Sequence, residues 1–376
     1  MANVTKTGTV KHVFPGGNTS IGFFSYYEHI IGPEARRILV IKGGPGVGKS
    51  TFMKRIAEEM IQRGFDVEFH HCSSDNNSLD GVVITAIGVA LIDGTAPHVV
   101  DPRNPGCIDE ILHLGDFWNE GGLRSSKEAI VSHNQAVGSM FAHAYRFLGA
   151  AKHVYDDWAS IHTAAMDFGY ANRKAAEAIA LLFGEKPVAA TPGRVRRLFA
   201  SAISPEGPRN YLDTVVGPWP RKVVVTGAPG TGKSTLIGKI AAAAVERGLF
   251  TEVYHCAFEP HQPEHLVIPE AGVAVVTSSK PHKYIPDTPA ALAIDLDLGL
   301  RATSLSGWTE AATTDESLFF NLLERAVAYI AKAKKLHDEM ETYYVPNMNF
   351  TAIDDFRQKT LQRILGYAAE GLLTTG

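Results

Sequence analysis

Residues 37–51 read RILVIKGGPGVGKST, and this stretch decides the fold. It opens with a short apolar run that ends in glycine, which is typical of a buried parallel strand. A glycine-rich loop of the pattern GxxxxGK[ST] comes next. Residues 50–63 then carry apolar side chains at helical spacing, and Gly64 suits the end of a helix. The stretch therefore predicts a strand, a glycine loop and a helix in succession.

The same pattern occurs again 184 positions later, where residues 227–235 read GAPGTGKST. The offset holds without a gap between residues 37–98 and 221–282, and 23 of these 62 pairs are identical. Upstream, VKHVF (10–14) matches VRRLF (195–199), and downstream the match continues at an offset of 182. The chain is therefore a tandem duplication.

The boundary between the copies is expected within GEKPVAATPG at residues 184–193, where two prolines and two glycines suit a linker. We therefore predict domains at 1–188 and 189–376. In each copy, further strand patterns such as 66–72 and 88–93 alternate with helical connections, which predicts an α/β domain with a parallel sheet and helices on both faces. Ala-rich helical segments are expected after each core, at residues 126–183, 316–340 and 352–373.

Composition narrows the class of protein. The chain has 376 residues, of which 45% are hydrophobic, enough for two cores of ordinary size. The formal net charge of −4 gives no basic surplus, so nucleic acid is not the expected partner. Three cysteines make no disulfide framework, and no apolar stretch reaches the ~20 residues of a membrane helix. We therefore expect a cytoplasmic protein without a membrane partner.

The two glycine loops have the residues that a triphosphate with Mg²⁺ needs. Glycines let successive backbone N–H groups point inward, where they and the following helix N-terminus attract phosphate oxygens. Lys49 and Lys233 would neutralise the terminal phosphates, and the hydroxyls of Ser50 and Ser234 would bind Mg²⁺. The predicted nucleotide-binding residues are Gly43, Gly44, Pro45, Gly46, Val47, Gly48, Lys49, Ser50 and Thr51, with Gly227, Ala228, Pro229, Gly230, Thr231, Gly232, Lys233, Ser234 and Thr235.

Both loops resemble those of the P-loop NTPase superfamily. More narrowly, the chain resembles an uncharacterised family of bacterial tandem P-loop ATPases, through FPGGNT (14–19), HHCSSD (70–75), LDG (79–81) and DGTAPH (93–98). This resemblance covers the first half best. It implies ATP binding and hydrolysis, and it identifies no further substrate.

A P-loop site usually holds Mg²⁺ through an Asp at the end of a neighbouring apolar strand. Asp93 ends the run VALID and is the candidate, whereas Thr277 takes the equivalent place in the second copy. Asp295 is a possible substitute there, although the offset of 184 aligns it with Ile111. We therefore predict that the first site is the catalytic one. Gly94 stands where many hydrolases have a Glu, so the general base stays open, with Glu110 as a weak candidate.

Histidines, cysteines and acidic residues recur at the same places in both copies. His71, Cys72 and His98 match His255, Cys256 and His282, and the strand ends that carry them suggest a place near the phosphates. Three interpretations stay open: packed side chains with satisfied hydrogen bonds, a histidine contact to substrate or γ-phosphate, and a His–Cys metal site. Asp75 and Asp80 match Glu259 and Glu264, in a loop that either faces a substrate or is solvated.

Taken together, these features predict an ATP-binding protein and a Mg²⁺-dependent ATP hydrolase. ATP is preferred over GTP because the sequence has no NKxD-type guanine-recognition segment. One alternative is a kinase of a small molecule or nucleotide. Another is a nucleotide-dependent switch that does not hydrolyse and whose helical segments bind an unknown protein partner. The two halves are expected to face each other as a pseudo-dimer, because duplication often fuses a homodimer.

Overall fold

The computed structural model describes residues 7–96 and 99–373. Its α-helices are α1 (Lys49–Gln62), α2 (Glu120–Ser125), α3 (Lys127–Ala165), α4 (Phe168–Phe183), α5 (Leu212–Val215), α6 (Lys233–Glu246), α7 (Ala302–Leu305), α8 (Thr309–Tyr344) and α9 (Phe350–Leu373). The helices predicted after the glycine loop and after each core are confirmed. Among the described residues, no helix combines the length and the apolar character needed to cross a membrane.

The strands of the first copy are β1 (Val10–Val13), β2 (Gly16–Thr19), β3 (Gly22–Ser25), β4 (Arg37–Lys42), β5 (Val67–His71), β6 (Leu79–Ile84), β7 (Val89–Asp93) and β8 (Asp109–His113). Those of the second are β9 (Val195–Phe199), β10 (Ser201–Ser204), β11 (Gly207–Asn210), β12 (Arg221–Thr226), β13 (Thr251–His255), β14 (Pro263–Ile268), β15 (Val273–Thr277) and β16 (Leu292–Asp295). The strands expected beside each glycine loop are all present.

The first sheet has the order β1-β5-β6-β7-β4-β8. β4, which leads into the glycine loop, pairs in parallel with β7 on one side and with β8 on the other. β6 is antiparallel to both of its neighbours, so the expected all-parallel sheet is wrong at this strand. The short connection at Thr85–Ile87 reverses the chain and leaves no room for a crossover helix.

Alternate side chains of the first sheet point to its two faces, and each face packs against a different part of the chain. Leu39 and Leu91 pack with helices α1 and α9 in one core cluster. Ala90 and Ile92 face the other way and pack with Ile30, next to a short 3₁₀ turn. Helices were expected on both faces, and here the second face is covered by the segment around Ile30 instead. Because β4 is parallel to both β7 and β8, the carboxyl ends of these three strands meet at one edge of the sheet.

The second sheet repeats the first, with the order β9-β13-β14-β15-β12-β16. The pairing registers show where the offset changes. Lys42 pairs with His113 in the first sheet, and Thr226 pairs with Asp295 in the second. Asp295 therefore corresponds to His113, and its predicted alignment with Ile111 is wrong. From β8 onwards the offset is 182, because the second copy is two residues shorter between β15 and β16.

The chain forms two compact units that are not continuous in sequence. Unit 1 is Met1–Pro15, Ser25–Phe141 and Ile330–Gly376, and unit 2 is Gly16–Phe24 and Ala142–Tyr329. The core of unit 1 combines α1 with α9, and that of unit 2 combines α6 with α4. Each α/β core is thus completed by the helical segment of the other copy. The predicted division into 1–188 and 189–376 follows the repeats rather than these units.

Candidate functional site

Both glycine loops connect a strand to a helix, and in both the residue before the helix is a glycine with a left-handed backbone. Helix α1 begins at Lys49, directly after Gly48, and α6 begins at Lys233, directly after Gly232. Gly48 and Gly232 have φ angles of 86° and 95°, in the left-handed region that other residues rarely adopt. The loop N–H groups and the helix N-terminus thus form a concave surface suited to an anion.

The two loop lysines lie over their own loops. Lys49 Nζ donates to the carbonyl oxygens of Gly43 and Gly44 at 3.1 and 2.8 Å. Lys233 Nζ makes the same two contacts, at 2.7 Å to Gly227 and 2.8 Å to Ala228. Each ammonium group is therefore already positioned beside the surface on which a phosphate would bind.

Asp93 lies where the sequence placed it, at the end of the strand next to β4. One carboxylate oxygen is 3.7 Å from Lys49 Nζ. The other accepts the Thr95 N–H at 2.9 Å and the Thr95 hydroxyl at 2.6 Å, which fixes the carboxylate. Ser50 Oγ accepts the N–H of Leu79 at 3.1 Å. The first loop thus has a hydroxyl and a neighbouring carboxylate, the oxygen donors that suit Mg²⁺.

The second loop has a different set of polar groups. Thr277 replaces the strand-end Asp, and its hydroxyl donates to the Glu264 carbonyl oxygen at 2.8 Å. Asp297, which sequence reasoning missed, accepts the N–H of Ala228 at 2.7 Å. Asp295 lies at the start of the 3₁₀ turn Leu296–Gly299, where its side chain accepts the N–H of Asp297 at 3.0 Å. The repeat gave no signal for Asp297, because the offset of 182 aligns it with Gly115.

Burial changes the charge balance at the second loop. It lowers the pKa of Lys233 to about 8, although Asp297, Glu264 and Cys256 act in the opposite direction. Burial alone would raise the pKa of Glu264, but His265, His282 and Lys233 outweigh it, so that this pKa lies below its ordinary value. The side chain of Lys233 therefore changes between its charged and its neutral form near pH 8.

The recurring strand-end histidines contact the neighbouring strand. His71 Nε2 lies 2.7 Å from His12 Nδ1 on β1, and His255 Nε2 lies 3.1 Å from Arg197 Nη1 on β9. His282 Nδ1 lies 3.1 Å from the side-chain nitrogen of Asn210, and burial lowers the pKa of this histidine. His98 lies outside the described residues. One ring nitrogen of each described histidine thus lies within hydrogen-bond distance of a neighbouring side chain, which favours a packed, structural role.

Cys72 and Cys256, the equivalent cysteines of the two copies, are free thiols that are poor candidates for a thiolate. Burial, reinforced by Asp80, raises the pKa of Cys72 well above its ordinary value. Burial and Glu264 do the same to the pKa of Cys256. In the part of the chain that the structure describes, which leaves out His98, no three His, Cys, Asp or Glu side chains gather as metal ligands would. A raised thiol pKa disfavours the thiolate, which is the form that acts as a nucleophile and as a metal ligand.

The acidic loop residues contact helices instead of facing solvent alone. Asp75 lies 3.3 Å from Lys334 of α8, and the equivalent Glu259 lies 3.2 Å from Lys152 of α3. Glu110, the weak candidate for a general base, accepts from Arg363 at 2.9 Å. That hydrogen bond lowers the pKa of Glu110, so this carboxylate is a poor proton acceptor.

Helical segments cover both loops, which the sequence did not predict. In unit 1, Glu341 of α8 accepts the N–H of Gly46 at 3.1 Å, and the ring of Tyr344 lies against Gly44. In unit 2, the Thr163 hydroxyl donates to the Gly230 carbonyl oxygen at 3.1 Å, and Ala159 takes the place of Glu341. A carboxylate therefore contacts the first loop but not the second at this position.

Comparison of the chain with protein-family models, with curated proteins and with solved structures finds no match in any of the three. The functional conclusion therefore depends on the chemistry of the two loops.

Proposed function

We propose that the chain binds ATP with Mg²⁺ at both glycine loops and hydrolyses it at the first. The observation that carries this proposal is the pairing of Lys49 with Asp93 at 3.7 Å, beside a loop whose N–H groups suit phosphate. A cation for the terminal phosphates and a carboxylate for the metal are the two groups that such a reaction requires. In the second copy Thr277 supplies no charge at the equivalent position.

The residues at the first loop would have different roles in binding the phosphates and the metal. Loop N–H groups and the start of α1 bind phosphate oxygens, and Lys49 exchanges the carbonyl oxygens of Gly43 and Gly44 for them. Ser50 and Asp93 would hold Mg²⁺, which supplies charge neutralisation at the terminal phosphates when bound. Thr95 keeps the Asp93 carboxylate in place for this task.

A nucleotide-dependent switch is the second candidate, and one specific contact favours it. Glu341 of α8 already occupies the N–H of Gly46. A triphosphate on this loop has to displace the carboxylate, and the displacement would be transmitted to a helix of 36 residues. Binding would then change the helical segment whether or not ATP is hydrolysed.

Steady-state ATP hydrolysis tests the proposal at two matched pairs of positions. Lys49→Ala and Asp93→Ala should each lower kcat by about 100-fold or more, because each removes charge stabilisation in the transition state. Lys233→Ala and Thr277→Ala, the equivalent changes at the second loop, should lower it only a few-fold.

The alternatives predict different results in the same assay. If Asp93→Ala retains full hydrolysis, the first loop is not the catalytic one. If the unaltered protein binds ATP in equilibrium dialysis and no variant turns it over, the switch replaces the hydrolase. If it does not bind ATP, both candidate functions are wrong.

A further inference from the structure

A cavity of about 690 Å³ lies beside the first glycine loop, and the phosphate-binding residues do not use it. Its size is within the range of small-molecule sites. Aromatic and carboxamide side chains predominate in its lining, which includes Trp118, Asn119, Asn347, Met348, Asn349 and Phe350. We call it the base pocket.

The walls of the base pocket are held together by backbone hydrogen bonds. The N–H of Asn119 donates to the carbonyl oxygen of Asn347 at 2.7 Å, and that of Asn349 donates to Phe117 at 2.9 Å. Trp118 and Met348 form an antiparallel bridge between these segments. The pocket is thus built from two paired stretches of unit 1 and does not depend on loose loops.

The position of the base pocket fits one end of a nucleotide. A Cβ atom at Gly48 would lie 3.6 Å from the Phe350 ring, so the pocket begins at the start of α1. Trp118 follows β8, whereas Asp93 ends β7, and these strands flank β4 on opposite sides. A nucleotide whose terminal phosphate lies by Asp93 therefore extends its other end towards β8.

The chemistry of the base pocket fits a nucleobase. Phe350 is 44% exposed and offers a ring face for stacking, next to Trp118. Asn119 and Asn349 use their side-chain oxygens to accept helix N–H groups, from Gly122 at 3.3 Å and Ala352 at 3.1 Å. Each carboxamide therefore has an NH₂ group to donate to a ring nitrogen or a carbonyl oxygen of the base.

The second copy has different side chains at three of the equivalent positions. At the offset of 182, Leu300, Arg301 and Ala165 replace Trp118, Asn119 and Asn347. The Arg301 guanidinium donates to the carbonyl oxygens of Ala164 and Ala165 at 3.1 and 3.2 Å.

From these observations we infer that the base pocket binds the nucleobase of the nucleotide held at the first loop. This inference rests on the proposed function. It makes the first site selective for nucleotides over bare polyphosphates.

Calorimetric binding of ATP and of inorganic tripolyphosphate tests the inference in a Lys233→Ala protein, which keeps only the first loop active. ATP should bind at least about tenfold more tightly than tripolyphosphate, the magnitude of one stacked base. Phe350→Ala should remove most of that difference and leave tripolyphosphate binding unchanged. Phe168→Ala is the matched control, because Phe168 has the same exposure of 44% beside the other loop, and it should change neither value.

Each other outcome is informative. Equal affinity for ATP and tripolyphosphate overturns the base pocket and leaves phosphate binding intact. A Phe350→Ala protein that loses both ligands equally shows a structural role and also overturns it. If neither ligand binds to the Lys233→Ala protein, the proposed function fails and the base pocket fails with it.

Discussion

Glu341 is a further position, besides Asp93, at which the surroundings of the two glycine loops differ in charge. Its carboxylate accepts the Gly46 N–H at 3.1 Å, and Ala159 occupies the equivalent place in unit 2. An N–H that points into an anion-binding loop is a group that a phosphate would use. Glu341 therefore competes with the triphosphate for a hydrogen bond and repels its charge.

Removing this charge should strengthen binding at the first loop. Glu341→Gln is expected to raise ATP affinity several-fold in a Lys233→Ala protein, measured by calorimetry, because a neutral amide no longer repels phosphate. Ala159→Glu is the converse change and should weaken ATP binding at the second loop in a Lys49→Ala protein. A loss of affinity in Glu341→Gln would show instead that the carboxylate assists the bound nucleotide, for example by orienting water.

Lys233 gives the second loop its own pH dependence. Burial lowers its pKa to about 8, so the ammonium form that binds phosphate is lost as the pH rises above that value. In a Lys49→Ala protein, ATP affinity should be constant from pH 6.5 to about 8 and fall towards pH 9.5. Lys233→Arg should remove the fall, because a guanidinium keeps its charge. A flat profile for the lysine protein would contradict the lowered pKa.

The same shift has a defined effect on folding. The unfolded chain keeps the Lys233 proton up to its ordinary pKa of about 10.4, whereas the folded protein releases it near 8. Between these values the unfolded state binds more protons, so the contribution of Lys233 to the free energy of unfolding rises with pH. Affinity and stability at this position therefore change in opposite directions.

At the scale of single elements, the sequence predicted what depends on local pattern. The apolar run before Gly43 and the helical spacing after Lys49 specify β4 and α1, and the run that ends at Asp93 specifies β7. The antiparallel direction of β6 was not predicted, because an apolar run does not show in which direction a strand runs. A strand of the same composition is parallel or antiparallel according to the length of its connection, and the connection here is the 3₁₀ turn Thr85–Ile87.

In the candidate site, too, the sequence predicted the residues that belong to a local pattern and missed those that depend on tertiary packing. Lys49 and Asp93 were found because each adjoins a strongly patterned strand or helix. Glu341 and Phe350 reach the first loop only through tertiary packing, and an apolar stripe on a helix does not identify its partner. Asp297 was missed for a different reason, because the offset of 182 aligns it with Gly115 and the first copy has no acidic residue at that position.

The whole molecule differs most from the sequence-based interpretation, because the copies exchange their helical segments. Within unit 1, Ile353, Leu361 and Ile364 of α9 are buried in one core cluster with Phe52 and Met53 of α1, which lie three hundred or more positions earlier. Within unit 2, Ala171 and Ala175 of α4 pack with Ile237 of α6. A repeat is therefore a unit of ancestry, whereas a compact unit, with its own core, is the unit expected to fold. The predicted pseudo-dimer stays a prediction.

This exchange predicts which shortened chain is stable. A chain of residues 1–188 lacks α9 and leaves the apolar face of α1 uncovered, so it should unfold at lower temperature and bind a hydrophobic dye. A chain that joins residues 1–141 to 330–376 by a short flexible linker restores that core. The linker is feasible because His133 of α3 contacts Tyr343 of α8, with ring centroids 5.6 Å apart, so the two helices lie side by side in unit 1. Thermal unfolding by circular dichroism compares the two chains directly. Higher stability in 1–188 than in the joined chain would show that the first repeat completes its own core, and that its helical segment does not need to exchange.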